Sequence, residues 1–147
     1  MPWIKVWLHF VWSTKDRHPY LTDEIRREVF DHIRENAKSK SIYVDFINGW
    51  TDHVHCLISL GSNQTIEEIM KLIKGESSHW INKHQLTRTH FGWQDEYFVA
   101  SVSESNLQAV RKYIAEQEKH HQGMSFDEEF ETFLTRAGFE KHSDVSA

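Results

Sequence analysis

Cysteine, proline and glycine are all scarce in this 147-residue chain, which contains one cysteine, two prolines and six glycines. With Cys56 alone, neither an internal disulfide nor a cysteine-rich zinc site can form, so a bound metal ion would need histidine, carboxylate or amide ligands. No repeat and no Gly/Ser-rich linker divides the sequence, and its length suits one domain. No apolar run approaches the roughly 18 residues of a membrane span, so we expect no membrane-spanning segment.

The N-terminus also lacks a recognisable targeting signal. A secretory signal peptide has basic residues, then an apolar stretch and then small residues. The opening stretch Met1-Pro2-Trp3-Ile4-Lys5 does not follow that order. We therefore expect a cytoplasmic protein with no membrane partner.

An excess of positive charge, which is common in nucleic-acid-binding domains, is missing, since the net charge is −5. The charges are nevertheless unevenly distributed. Between Ile69 and His90, four basic residues stand against one acidic residue, whereas between Glu116 and Glu131 one basic residue stands against six acidic residues. The sequence thus allows a basic face on the middle third of the chain and predicts an acidic C-terminal region.

Aromatic residues make up 13% of the chain and hydrophobic residues 39%, which is enough for one core. Aromatic and β-branched runs predict strands, and apolar residues at spacings of three and four predict helices. The predicted elements are a strand at 3–13, a helix at 22–38, strands at 41–47 and 53–60 joined by a turn at Asn48-Gly49, a helix at 65–84, a strand at 97–102, a helix at 104–121 and a short helix at 126–135. This order predicts an α+β fold, a ferredoxin-like or RRM-like antiparallel four-stranded sheet with helices on one face plus an extra C-terminal helix.

The sharpest local pattern is His53-Val54-His55 on a predicted strand. Side chains alternate between the faces of a strand, so the two imidazoles point the same way, about 7 Å apart along the chain. That spacing suits two ligands of one cation, and Asp52 could orient one of them as a hydrogen-bond acceptor. The alternative interpretation is a pair of structural or surface histidines.

A second candidate pair lies on the predicted helix at 104–121. Tyr113 and Gln117 are four residues apart and share one helix face. A phenol and a ligand amide on one face could address the same metal-bound phosphate. Glu116, His120 and His121 are further candidates for completing a coordination shell. The alternative interpretation is that Tyr113 packs with Val110 and that Gln117 is solvated.

Taken together, these stretches resemble the single-tyrosine HUH transposases, the small enzymes of the simplest insertion sequences and their REP-associated relatives. The stretch 52–55 is similar to the His-hydrophobic-His motif of HUH nucleases, and 110–117 is similar to the nucleophile helix of that family. Three further stretches, at 10–17, 74–78 and 93–98, fit the family in order and spacing. The resemblance covers about residues 3–121.

The resemblance implies that Tyr113 is the nucleophile and that His53, His55 and Gln117 bind a divalent metal ion, Mg²⁺ or Mn²⁺. It implies cleavage and rejoining of single-stranded DNA through a 5′-phosphotyrosine intermediate, at hairpin-forming element ends. Because one tyrosine holds one DNA end, we expect a homodimer; in the family the tyrosine helix often completes the partner's site. Residues 1–122 would form the catalytic domain and 123–147 an acidic, helical extension of the same unit.

Contacts to DNA are predicted from basic and aromatic residues. Lys71 and Lys74 share a helix face, and Lys15 and Arg17 follow the first strand, so all four are candidates for binding phosphates. A second list comprises aromatic residues that either stack on unpaired bases or belong to the core: Trp80, Phe91 and Trp93.

Other classes fit less well. Two-histidine phosphoesterases need a second His-x-Ser/Thr motif, and here His55 is followed by Cys56-Leu57. Replication initiators and relaxases share the HUH motif but usually carry further domains or a third histidine. An RNA-binding module would show an aromatic signature strand, which is missing. The alternative function that stays open is a domesticated, non-catalytic DNA-hairpin-binding protein of the same fold.

Overall fold

The computed structural model describes residues 2–121 and 123–138 of the chain. Its strands are β1 (Trp7–Thr14), β2 (Tyr43–Gly49), β3 (His53–Ser59) and β4 (Trp93–Val102). Its α-helices are α1 (Asp23–Ser39), α2 (Ile66–Lys83), α3 (Leu107–Ala115), α4 (Gln117–His120) and α5 (Phe126–Arg136). No helix among these residues is long and apolar enough to cross a membrane. The predicted extension at 123–147 is described to residue 138, and the rest of it lies outside the described residues.

The strands form one antiparallel sheet in the order β2-β3-β1-β4. This confirms the predicted α+β, ferredoxin-like class. In the register of the sheet, Ser13 lies opposite His53 and Thr14 lies opposite Trp93. The end of β1 and the beginnings of β3 and β4 therefore meet at one end of the sheet, where the predicted functional residues concentrate.

One face of the sheet packs against α1 and α2 and forms the main core. Phe10, Trp12, Val54 and Cys56 point to this face and are each at most 1% exposed. The apolar residues that α1 and α2 contribute are Val29, Phe30, Ile33, Ala37, Ile69, Met70, Ile73 and Ile81. The predicted inward orientation of Val54 and Cys56 is confirmed, as is the capping of α2, since the Thr65 side chain accepts from the Glu68 amide at 3.2 Å.

The opposite face is covered as well, by α3 and the helices that follow it. Leu57 on β3 packs against Leu107 and Ile114 of α3 in a second apolar cluster. The sequence had suggested that the helices lie on one face of the sheet. Instead, α1 and α2 cover one face and α3 covers the other. Because β3 is an interior strand covered on both sides, even its histidines are shielded from solvent: His53 is 0% and His55 1% exposed.

The predicted turn at Asn48-Gly49 is wrong. Both residues belong to β2, and the turn lies at residues 50–52, closed by the Trp50 amide donating to the His53 carbonyl at 3.0 Å. A Cβ on Gly49 would be 2.2 Å from the His53 carbonyl oxygen. Glycine is thus needed here because the two strands approach closely, which a turn signal in the sequence does not distinguish.

The predicted helix at 104–121 is also interrupted. A 3-10 turn at Glu104–Asn106 precedes α3, and Glu116 separates α3 from the single turn of α4. The predicted fourth strand begins earlier, at Trp93, whereas the short C-terminal helix is confirmed as α5. The interruption at Glu116 places Gln117 at the start of a new helical segment, with its side chain buried.

Replacing Gly49 with alanine should lower the free energy of unfolding by at least about 1–3 kcal/mol, because the added methyl group overlaps the backbone of the strand that carries both histidines. Gly75→Ala is the matched control. Gly75 lies in α2, and a Cβ there meets nothing within 4 Å, so the change should stabilise by up to about 1 kcal/mol. Urea unfolding of both variants measures this, and equal midpoints would contradict the prediction.

Candidate metal and nucleophile site

The two histidines of β3 converge on one buried point. Their ring centroids are 5.1 Å apart, and the Nε2 atom of each faces the same oxygen, Oε1 of Glu129, at 3.1 Å for His53 and 2.9 Å for His55. The alternation of the strand puts both rings on the face opposite the main core. The pair predicted from the sequence therefore forms one cluster rather than two separate polar contacts.

Each imidazole is held through its other ring nitrogen. Nδ1 of His53 is 2.8 Å from Oδ1 of Asp52, and Nδ1 of His55 is 2.9 Å from Nε2 of His9. Because the Asp52 carboxylate can only accept, His53 donates from Nδ1, which leaves Nε2 to face the cluster. The expected orienting role of Asp52 matches this contact, whereas His9 was not identified from the sequence. His9 lies on β1 opposite Leu57 of β3. Its contact with His55 depends on the pairing of these two strands, which no local sequence motif predicts.

We expect Asp52→Asn to weaken Mn²⁺ binding by about 10–100-fold, the range typical for partners that orient metal-binding imidazoles. The amide can present its NH₂ group to Nδ1 and so favour the wrong tautomer of His53. Isothermal titration calorimetry on metal-stripped protein measures the affinity. Asp31→Asn, an exposed change on α1, is the control. Unchanged affinity in Asp52→Asn would contradict an orienting role.

Helix α3 brings Tyr113 to the same cluster. The Tyr113 ring lies 5.5 Å from the His55 ring and 6.3 Å from the His9 ring. Arg111 fixes the helix to β2, since its Nε donates to Oδ2 of Asp45 at 2.7 Å and a terminal nitrogen reaches Oδ1 at 3.3 Å. The tyrosine and both histidines thus lie close together within one chain.

Gln117 reaches the cluster from the start of α4. Its Oε1 lies 3.1 Å from Nε2 of His53, and the side chain is 0% exposed. Two contacts hold this region against the rest of the fold. Asn48 donates to the Ala115 carbonyl at 3.1 Å, and Arg26 lies 3.3 Å from Glu118. The structure therefore brings together all four residues singled out by the sequence: His53, His55, Tyr113 and Gln117.

Glu129 is a fifth member, which the sequence analysis missed. It lies on α5, is 1% exposed, and accepts from Nε2 of Gln117 at 3.0 Å through Oε2. His121 adds a further contact, with Nε2 3.2 Å from the same oxygen. The sequence could not single out Glu129, because the segment 126–131 contains several carboxylates that a local pattern does not distinguish. The other three are exposed: Asp127, Glu128 and Glu131.

The electrostatics of the cluster are set by burial and by Glu129. Burial alone would raise the pKa of Glu129, but its contacts with His121, His53 and His55 hold it well below the usual range. Burial lowers the pKa of His55 to about 4, so this imidazole is neutral at pH 7. The pKa of His53 is raised: burial opposes its charge, but contacts with Asp52 and Glu129 outweigh burial. Burial, followed by Glu129, raises the pKa of Tyr113 well above 10, so its phenol is protonated.

This donor set fits a divalent cation. Among the described residues, His53, His55 and Glu129 can each offer one ligand atom within 4.8 Å of the others. Neighbouring ligands in an octahedral shell with bonds of about 2.1 Å lie about 3 Å apart, close to the separations of 2.9–3.1 Å between Glu129 Oε1 and the two Nε2 atoms. Imidazole nitrogens with carboxylate or amide oxygens suit Mn²⁺ and Zn²⁺ in particular.

The candidate phosphate-binding residues have different surroundings. Lys15 and Lys71 are exposed. Lys74 donates to the carbonyls of Gln94 and Asp95 at 2.6 and 3.0 Å, and burial lowers its pKa. Arg17 pairs with Asp127 of α5. Lys15 and Arg17 lie at the sheet end near the histidines, and the backbone contacts of Lys74 tie it to the same end.

The candidate stacking aromatics are mostly part of the core. Phe91 is 1% and Trp93 7% exposed, and the Trp93 indole donates to Ser77 at 2.9 Å. These two rings fill space between α2 and β4 and are not available to a base. Trp80 is half-buried and stacks on His32, with ring centroids 3.9 Å apart.

Comparisons with known proteins agree with this architecture. The family model described as "Transposase IS200 like" matches residues 3–117. The ISDra2 transposase TnpA of Deinococcus radiodurans is 31% identical over 114 residues, which cover 74% of this chain and 81% of that protein.

Two solved structures share the fold. One, a protein assigned as a transposase from Deinococcus radiodurans, has a TM-score of 0.64 and 26% identity, covering 79% of this chain and 93% of that chain. The other, a REP-associated tyrosine transposase bound to a REP hairpin, has a TM-score of 0.62 and 14% identity, covering 82% and 72%. Since the family model matches residues 3–117, well over half of the chain, the chain belongs to the IS200-like transposase family.

Proposed function

We propose that this transposase cuts and rejoins single-stranded DNA through a covalent bond to Tyr113, in a reaction that requires a divalent metal ion. The observation that carries the proposal is the placement of the Tyr113 ring 5.5 Å from His55, beside a buried set of metal-binding side chains. A tyrosine in ordinary packing would not need two histidines, an amide and a carboxylate around it.

In the proposed reaction, the Tyr113 oxygen attacks the phosphorus of a phosphodiester, and the 3′ oxygen of the neighbouring nucleotide leaves as a free 3′-OH. The product is a 5′-phosphotyrosine, which conserves the energy of the broken bond. Attack by another 3′-OH on this phosphorus releases Tyr113 and joins a new strand without ATP. The phenol proton must be lost in the first step, which the raised pKa of Tyr113 opposes.

His53, His55 and Gln117 would hold the metal ion, Mg²⁺ or Mn²⁺. When bound, the ion supplies positive charge that neutralises a phosphate oxygen and favours the phenolate. Asp52 and His9 keep the two imidazoles oriented. The neutral state of His55 at pH 7 suits this role, because a protonated imidazole cannot bind a metal ion.

The proposed substrate is single-stranded DNA whose ends fold into hairpins, as the resemblance to REP-associated and insertion-sequence transposases implies. The residues that stay candidates for phosphate contacts are Lys15, Arg17, Lys71 and Lys74.

We also propose a homodimer, since two DNA ends need two tyrosines. Because Tyr113 and the histidines meet within one chain, each copy would carry a complete site. Cytoplasmic localisation stays a prediction from the sequence.

A direct test is the formation of a covalent protein–DNA adduct. Purified protein is incubated with labelled hairpin oligonucleotides carrying single-stranded flanks, with Mg²⁺, Mn²⁺ or EDTA, and separated on denaturing gels. We expect a protein-linked band that requires the metal ion and a second product with a free 3′-OH. Hairpin binding without any adduct, across the oligonucleotide set and both metals, would instead favour a non-catalytic DNA-binding protein.

A further inference from the structure

The C-terminal helix α5 begins after the family match ends at residue 117, yet it inserts one carboxylate into the centre of the site. Oε1 of Glu129 lies 3.1 Å from Nε2 of His53 and 2.9 Å from Nε2 of His55. This one oxygen therefore contacts both imidazoles of the His-Val-His motif. A helix that merely covered the site would not need a buried carboxylate at this point.

Three atoms of kinds that bind metal ions converge beside Glu129. Oε1 of Glu129 and Oε1 of Gln117 each lie 3.1 Å from Nε2 of His53. Two acceptor oxygens around one ring nitrogen need a proton or a cation near that nitrogen. A metal ion at this point would be within reach of the Nε2 atom and of both oxygens.

We propose that Glu129 is an additional protein ligand of the catalytic metal ion, supplied by α5 together with His53, His55 and Gln117. This inference rests on the proposed function, because it concerns the same metal site. A carboxylate adds a negative charge that two imidazoles and an amide lack, and it should strengthen the binding of Mn²⁺. Gln117 would have two tasks, since its Nε2 donates to Oε2 of Glu129 and thereby orients the carboxylate.

Helix α5 is fixed in a way that makes this placement specific. Ser125 caps it by accepting from the Glu128 amide at 3.3 Å. Phe126 stacks on His53 with centroids 4.3 Å apart, and Phe130 packs on Phe98 at 4.3 Å. Arg17 pairs with Asp127 on the outer side of the helix. These contacts lie on both sides of Glu129 along the helix, so they restrain the position of its carboxylate.

The metal affinity of the full-length protein tests this proposal without DNA. Metal-stripped wild type, Glu129→Gln and Glu128→Gln are titrated with Mn²⁺ by calorimetry, and the Mn²⁺-induced rise in Tm is measured for each. Glu129→Gln should bind Mn²⁺ at least about 10–100-fold more weakly and show a smaller rise in Tm. Glu128→Gln, which removes an exposed charge from the same helix, should match the wild type. If Glu129→Gln bound Mn²⁺ as tightly as the wild type or more tightly, the carboxylate would not be a ligand.

A second measurement uses only the wild type and so does not depend on the folding of a variant. Hydrogen exchange of the α5 peptide is followed by mass spectrometry with and without Mn²⁺. If Glu129 binds the ion, exchange in α5 should slow, whereas if the ion displaces Glu129, exchange should accelerate and the proposal fails. Neither readout involves DNA cleavage, so a missing covalent adduct would reject the proposed function and leave this result standing.

Discussion

Tyr113→Phe should abolish the covalent protein–DNA adduct completely while Mn²⁺ and hairpin affinities stay within about twofold of the wild type. The change removes one oxygen atom, the proposed nucleophile, and keeps the ring that packs against His55 and His9. Because the burial of Tyr113 is only partial, losing its hydroxyl should cost at most about 1–1.5 kcal/mol of stability. A variant that still binds Mn²⁺ and the hairpin but forms no adduct would identify Tyr113 as the nucleophile.

The control for this variant is Tyr43→Phe. Tyr43 lies at the start of β2 and is 59% exposed, so the same chemical change there should leave adduct formation intact. Denaturing gels report the adduct, and calorimetry with Mn²⁺ and fluorescence anisotropy with a labelled hairpin report binding. An adduct that persists in Tyr113→Phe would place the nucleophile on another residue, and mass spectrometry of the DNA-linked peptide would identify it.

His55→Ala should remove both metal binding and catalysis. Its Nε2 faces Glu129 at 2.9 Å in a position that is 1% exposed, so alanine there removes a buried ligand atom from the centre of the cluster. We expect Mn²⁺ affinity to fall by at least about 100-fold and the adduct to disappear. The free energy of unfolding should also fall by about 1.5–3 kcal/mol, because the buried Glu129 carboxylate loses one hydrogen-bond partner and keeps the others.

His79→Ala is the matched control for this loss. His79 is an exposed histidine on α2, so its replacement should change neither the metal affinity nor the adduct. Chemical unfolding, Mn²⁺ calorimetry and the adduct gel are run on both variants. If His55→Ala lost stability but kept its metal affinity and its adduct, the HUH histidines would be structural and the proposed mechanism would be wrong.

Local sequence patterns were sufficient to single out four candidate residues that the fold brings together. The period-two spacing of His53 and His55 predicted that they share a face, and the four-residue spacing of Tyr113 and Gln117 predicted the same for them. All four side chains do meet in one cluster. The strand prediction succeeded because the alternation of side chains is a property of the extended backbone. Tyr113 and Gln117 reach the same cluster although Glu116 interrupts the helix between them, so helix periodicity alone does not explain why they meet.

Sequence patterns whose meaning depends on neighbouring elements of the fold led to wrong predictions. Asn48-Gly49 has the composition of a hairpin turn, but the closeness of the His53 carbonyl, and not a turn, accounts for Gly49. Phe91 and Trp93 are aromatic residues of the kind that stack on bases, but both rings are buried in the main core beside α2. In each case the residue type allows two structures, and the neighbouring element decides between them.

The sequence by itself determined the fold class, the order of the elements, the histidine pair, the tyrosine and the family to which they point. The tertiary structure alone decided that His9 supports His55, that Arg17 is paired with α5, and that Glu129 contacts both histidines of the candidate metal site. These contacts join residues 46, 110 and 74 positions apart. Periodicity reports which face a side chain occupies, but only the packing of distant elements determines which faces meet.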